Sequence, residues 1–347
     1  MPEARVSLLV ANPAAKTGRA AKAIEKALQL LDESRLHPEF FPTQPEGATV
    51  GALAERLERG DVARVVYLGG DGTFADSAKG IILAREQAGI DVPLAMLPMG
   101  TANDQGRSFG IQAGEKAMPR NIEIIANGVE TWLDTGRIEA IDENGEVLDQ
   151  DLWFDSCGFG LSASILAQRN RDRELVGKVP LLNRLYRDKL VYAGATFMRL
   201  FGSMVQGLSF SCEAKIDGEV REIHECTDII IKNTLLYGGD WMFAPDAKPD
   251  DGRVELIVLT SPMDWVAAAI SGHKANPVTD DDRDVIGLTG REVPSGKDLE
   301  IRLFRPKDID FLPAQIDGEE FVSCDHYRIQ TLFHHLRIVV PDDPHWV

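Results

Sequence analysis

Long hydrophobic runs are missing from this 347-residue chain: nowhere do about 18 uncharged apolar residues follow one another, so no stretch reads as a membrane-spanning helix. The N-terminal "MPEARVSLLVANPAAKTG" lacks a basic region followed by a longer apolar one, and the expectation is a cytoplasmic protein without an address. Cysteine is scarce as well. The four (Cys157, Cys212, Cys226, Cys324) form no CxxC, and the seven histidines no HExxH, which leaves a zinc site unsupported and predicts reduced thiols. Basic residues are outnumbered 37 to 55, a net charge of −18 that argues against a nucleic-acid partner. A Walker A string, GxxxxGK[ST], is also absent, so an ordinary P-loop enzyme is disfavoured.

What the chain does have is 44% hydrophobic residues, enough for two sizeable cores. "RVSLLVA" reads as a buried strand, and Ala20, Ile24, Ala27, Leu28 and Leu31 then recur at helical spacing. "HPEFFPT" with "ATVGALAERLERG", "ARVVYLGG" with "TFADSAKGIILAREQAG", and "VPLAMLPMG" with "TANDQGRSFG" repeat that alternation. The pattern predicts an α/β fold: a parallel, Rossmann-like nucleotide domain over residues 1–127, with ligand loops beyond the strand C-termini. From 128 to 347 short strand-like runs such as "TWLDTGRIEAID", "DIIIKNT", "RVELIVLT", "AQIDGEEF" and "LRIVVP", separated by turn signals like "IDGE" and "PDDG", predict a mainly antiparallel β domain that takes the substrate.

The glycine-rich stretches fall at the predicted ligand edge. "LGGDGTFAD" sets Asp71 among glycines whose exposed N–H groups suit phosphate oxygens at a helix N-terminus. A carboxylate there repels phosphate unless a cation stands between them. About thirty residues on, "PMGTAND" offers a second small-residue loop with Asp104, and the two loops are expected to face each other. "GFGLSA" matches GxGxxA but lies in the β-rich half, and reads as a turn.

These loops, with "NPAAKTG" after the first strand, "FDSCGFGLSASI", "YGGDWMFAPDAKPDDGRVELIVL" and "QIDGEEF", resemble the catalytic domain of the diacylglycerol kinase and sphingosine kinase superfamily, in particular the bacterial soluble lipid kinases. The resemblance covers most of the chain. It implies an ATP-dependent kinase of a lipid hydroxyl, with nucleotide contacts on Asn12, Pro13, Ala14, Ala15, Lys16, Thr43, Gly69, Gly70, Asp71, Gly72, Thr73, Phe74, Ala75 and Thr101. Mg²⁺ then bridges Asp71 to the phosphates through water, which resolves the anion repulsion, with Asp104 in the same network. A second, structural Mg²⁺ is implied at "KPDDGRV", held by the Asp251 carboxylate and the carbonyls of Lys248 and Arg253.

Transfer to an alcohol also needs a proton acceptor. "IDGEE" places Asp317 and Glu319 two positions apart, on one face if the backbone is extended. Glu319 is the expected base and Asp317 its partner, the two being exchangeable and Asp71 a third candidate. Where relatives commonly carry Asn then Glu, this chain has Ala75 and Asp76, and Gln105 stands where an aromatic is common. Between Gln168 and Phe201 eight basic residues face three acids among many apolar ones, an arrangement suited to peripheral contact with an anionic membrane that delivers the lipid substrate. Two other readings stay open: an NAD kinase-like enzyme, which shares "GGDG", and a non-catalytic nucleotide- or lipid-binding regulator.

Overall fold

Strand–helix alternation organises the first half. A computed structural model describes residues 5–15, 19–164, 166–167, 209–237, 244, 246–260, 293–307 and 309–342. The order opens β1 (Val6–Ala11), α1 (Arg19–Glu33), β2 (Pro38–Pro42), α2 (Ala48–Leu57), β3 (Val62–Gly69), α3 (Asp71–Ala88), β4 (Leu94–Pro98), α4 (Asp104–Ser108) and α5 (Met118–Asn127). It continues as β5 (Val129–Ile141), β6 (Val147–Trp153), β7 (Ser156–Gly160), β8 (Phe210–Ile216), β9 (Glu219–Cys226), β10 (Asp228–Lys232), β11 (Val254–Leu259), β12 (Ser295–Gly296), β13 (Asp298–Phe304), β14 (Ala314–Ile316), β15 (Glu319–Phe321) and β16 (His326–Val340).

Strands β2, β1, β3 and β4 lie side by side and parallel, as the alternation predicts. Successive side chains point to opposite faces. Leu8, Val10, Val65 and Tyr67 therefore join one core with α2 and α3, while Leu9, Ala11, Val66 and Leu68 join another with α1 and α5. Because β2 and β3 flank β1 on opposite sides, the crevice at the C-terminal ends of β1 and β3 is the topological switch point of the sheet, the usual ligand position in such folds.

The second half is mainly antiparallel, again as expected. Its strands enter two sheets: β16, β13, β8, β9, β5 and β6 continue the first sheet, and β12-β11-β10-β7-β14-β15 form a second of six strands. Ile138, Ala214, Ile301 and Tyr327 of the first meet Phe159, Ile229, Ile231 and Leu256 of the second in one core. Residue 127 ends α5, but the two sets of strands share one sheet. β16 runs parallel to β4 at Ile338–Leu94, so Leu336, Ile338 and Val340 complete the core that β1 and β3 begin.

Two local expectations are corrected. "GFGLSA" is no turn: Gly158 to Gly160 belong to buried β7, and the chain turns helical from Leu161. Gly160 sits at φ 109°, where a side chain is strained and a Cβ would approach the Thr227 carbonyl at 2.7 Å. Asp317 and Glu319 do not share an extended face either. Asp317 and Gly318 have φ of 47° and 78°, the paired left-handed residues of a two-residue hairpin loop, with Ile316 opposite Glu319.

The four cysteines are buried and free of disulfides, in keeping with reduced thiols. Among the described residues no helix is long and apolar enough to cross a membrane. The basic segment 168–201 lies outside the described residues.

Candidate active site at the edge of the parallel sheet

The loop after β1 folds on itself: the Asn12 side chain accepts the N–H of Ala14 at 2.9 Å and its carbonyl that of Ala15 at 3.3 Å. Asn12, Pro13 and Ala14 are exposed; Lys16 lies outside the described residues. Half-buried Thr43, just past β2, donates its N–H to the Ala11 carbonyl at the end of β1.

The two glycine loops do face each other. Met99 and Gly100 donate to the Gly69 carbonyl at 2.6 and 3.1 Å, and a Cβ on Gly100 would stand 2.5 Å from the Cα of Gly70. Gly69 is equally constrained, since a Cβ there would collide with the Thr73 side chain. Asp71 opens α3, where the helix dipole favours a negative charge. Its carboxylate reaches across to the second loop, accepting N–H groups from Asn103 at 2.9 Å and Gln105 at 3.4 Å. Gly72 and Thr101 are exposed; Phe74 is buried under Tyr67, and Ala75 packs on the same core. Asp104 is buried at the start of α4.

Asp317, some 250 residues further along the chain, comes to the same place. It accepts N–H groups from Phe154 (2.8 Å), Asp155 (2.7 Å) and Ser156 (3.1 Å), and so closes the turn between β6 and β7. Phe154 in turn meets Phe74 edge to face at 5.5 Å, which ties that turn to the first turns of α3. Burial, and then the charge of Asp155, push both Asp71 and Asp317 above the usual carboxylate range, Asp317 up to about 7. Glu319 is exposed one step beyond the hairpin loop, and together with burial its charge raises Asp76. Lys79, one turn on from Asp76, pairs with Asp151 at 2.6 Å.

Several residues at this site escape a reading of the sequence. Asp155 acts by its charge on both Asp71 and Asp317. Lys232, at the end of β10, is wholly buried and pairs with Asp155 at 2.7 Å. Asn233 donates its side-chain amide to the carbonyls of Asp134 and Phe154 at 2.8 and 2.9 Å. The only sequence signal for Lys232 is a charge closing an apolar run, "DIIIK", which is also how an ordinary strand ends.

At the second expected cation site, Asp251 accepts the N–H of Arg253 at 3.0 Å, closing its own turn, and the Arg253 guanidinium bonds Ser295. Asp134 accepts from Gly252 at 2.5 Å and His334 at 2.6 Å, its pKa raised by burial. Lys248 is exposed. Among the described residues no three His, Cys, Asp or Glu side chains gather as metal ligands there or elsewhere.

Known proteins resemble this chain in sequence and in fold. Residues 6–138 match the family profile of the diacylglycerol kinase catalytic domain. A "Diacylglycerol kinase" of Mycobacterium tuberculosis is 28% identical over 210 residues, 60% of this chain and 58% of the relative. A "Probable lipid kinase YegS-like" of Pseudomonas aeruginosa is 28% identical over 224 residues, 65% of this chain and 63% of that one. The matched stretch therefore spans less than two thirds of either relative. A crystal structure of a diacylglycerol kinase from Bacillus anthracis str. Sterne superposes over the full length of both chains with a TM-score of 0.66 at 19% identity, a likeness of fold. The resemblance read from the glycine loops is borne out.

Proposed function

We propose that this relative of the diacylglycerol kinases is an ATP-dependent lipid kinase, transferring the γ-phosphoryl group to the hydroxyl of a diacylglycerol-like lipid. The observation that carries the reading is that Asp71 and Asp317, from distant parts of the sequence, both come within the field of Asp155, with Asp71 at the ligand edge of a parallel sheet. Burial, and then the charge of Asp155, raise Asp71 and Asp317, a penalty that a divalent ion beside them would relieve. Mg²⁺ held by Asp71, with Asp104 in the same network, would neutralise the phosphate charge.

The chain's own groups divide the remaining work. The N-terminus of α3 and the loop after β1, with Lys16, hold phosphate oxygens. The acceptor hydroxyl oxygen bonds to the γ-phosphorus as the bond to the β–γ bridging oxygen breaks, ADP departs, and the hydroxyl proton passes to Glu319. Asp317, with three N–H donors on its carboxylate, fixes the hairpin that presents Glu319 and is the second candidate for the proton. The lipid approaches from a membrane surface on which the basic 168–201 segment rests. Incubation of the purified chain with radiolabelled γ-phosphate nucleotide and vesicles of diacylglycerol, monoacylglycerol, phosphatidylglycerol, sphingosine or ceramide tests the reading. Label in diacylglycerol is the expected result; no label in any lipid ends it.

A further inference from the structure

Lys232 has no part in the chemistry above, yet it occupies an expensive position. A wholly buried ammonium loses several kcal/mol of hydration unless it is paired and fully hydrogen-bonded. Here its Nζ donates to Asp155 Oδ1 and to the Leu236 carbonyl, each at 2.7 Å, and lies 5.5 Å from the centre of the Tyr237 ring. Strand register sets it between Ser156 and Glu255. Asp155 also accepts the hydroxyls of Thr234, on the same oxygen, and Ser156, on the other.

The pair reaches towards both halves of the proposed site. On one side the Asp155 N–H belongs to the trio that grips Asp317. On the other, the Leu236 N–H donates to Ser108 Oγ at 3.2 Å, at the end of α4, and the residues that start α4 grip Asp71. Polar contacts thus lead from Asp317 through Asp155, Lys232 and Leu236 to the helix beside the Asp71 loop. We propose that Lys232 is a positioning residue for phosphoryl transfer: with Asp155 it locks the turn that holds Asp317, and through Leu236 and Ser108 it sets that turn against the nucleotide half. The role rests on the kinase reading.

A purely structural pair behaves differently when both charges are removed together. Lys232→Met strands Asp155 and lowers both melting temperature and kcat. Asp155→Asn/Lys232→Met leaves no stranded charge and regains the melting temperature. Its kcat is nonetheless expected to stay at least about tenfold below wild type with KM for ATP changed by less than about twofold, because the contact to Leu236 is lost. A double variant that regains kcat together with stability overturns the proposal. Ser108→Ala, which deletes one hydroxyl, gives a second reading should the first pair fold poorly. It lowers kcat about fivefold and adds nothing in a Lys232→Met background, since both act on one route; independent losses, or full activity in Ser108→Ala, overturn the proposal equally. Wild-type protein that phosphorylates none of the lipid alcohols is a separate outcome: it removes the kinase reading, and this role with it.

Discussion

Asp217 and Asp317 occupy the same position in two copies of one tetrapeptide, Ile-Asp-Gly-Glu, a hundred residues apart, and both take left-handed backbone (φ 48° and 47°) before a glycine that does likewise. Each carboxylate accepts backbone N–H groups from a neighbouring strand or turn: Asp217 from Lys297 and Asp298, Asp317 from Phe154, Asp155 and Ser156. Their ionisation nevertheless moves in opposite directions. Backbone hydrogen bonds and Arg253 lower Asp217, whereas burial and Asp155 push Asp317 up to about 7. The same local sequence gives a stabilised anion on an open edge and a reluctant one beside the proposed site.

Stability should therefore fall with rising pH at one turn and not at the other. Asp317 gives up its proton near 3.8 in the unfolded chain and near 7 in the folded one, so between those values the native state holds the extra proton and loses stability as pH rises, by a few kcal/mol at most. Asp317→Asn removes that dependence and leaves one N–H without an acceptor, a loss of about 1–2 kcal/mol. Urea midpoints should show the wild-type advantage over Asp317→Asn shrinking from pH 5 to pH 8. Asp217→Asn should show the converse, an advantage for wild type that is present above the usual Asp range and fades as pH drops through it. A gap that ignores pH at both turns would contradict the assignment.

Removing the proposed base should separate chemistry from binding. Glu319→Gln keeps the size of an exposed side chain and is expected to lower kcat by about 10² or more while nucleotide affinity, read by calorimetry, stays near wild type. Near-normal turnover would reassign the proton to Asp317.

The contact between Gly70 and Gly100 leaves no room for a methyl group. Gly100→Ala should push the two loops apart, detach Asn103 from Asp71 and raise KM for nucleotide about tenfold or more. Gly72→Ala, whose Cβ meets open space, should change KM far less. Equal KM values in the two variants would mean that loop spacing does not govern nucleotide affinity.

Within the 168–201 segment, Arg184→Gln/Arg187→Gln should reduce activity more on anionic vesicles than on detergent-dispersed substrate, because each basic residue near a charged surface contributes about 1 kcal/mol to binding. Equal losses in both assays would remove the membrane-contact idea.

Much of this was legible in the chain because it depends on local periodicity. The β1–α3 alternation and the two glycine loops follow from strands and helices that declare themselves in ten residues. The hairpin at Asp317 was recognisable as a motif, but its backbone was misjudged: alternation was assumed where Asp-Gly enforces a turn. Asp155, Lys232 and Asn233 stayed hidden, since pairing across β7 and β10 is a tertiary fact and a buried lysine at a strand end looks like an exposed one. β6 was missed because "VLDQDLW" does not alternate: its apolar residues pair up at the two ends around Asp-Gln-Asp, and its first four residues are exposed. Only the tail of β16 was seen as a strand, because pairing slips between Leu332 and Leu336 and the residues between break the period.

That last strand has a consequence for how the molecule is assembled. The core beneath β3 and β4 waits for Leu336, Ile338 and Val340, which leave the ribosome more than two hundred residues after the loops they support. Through most of synthesis the nascent nucleotide half carries an uncapped edge at β4, and a fragment cut to the matched stretch 6–138 retains that raw seam. Cover for that edge therefore comes from residues made long after it.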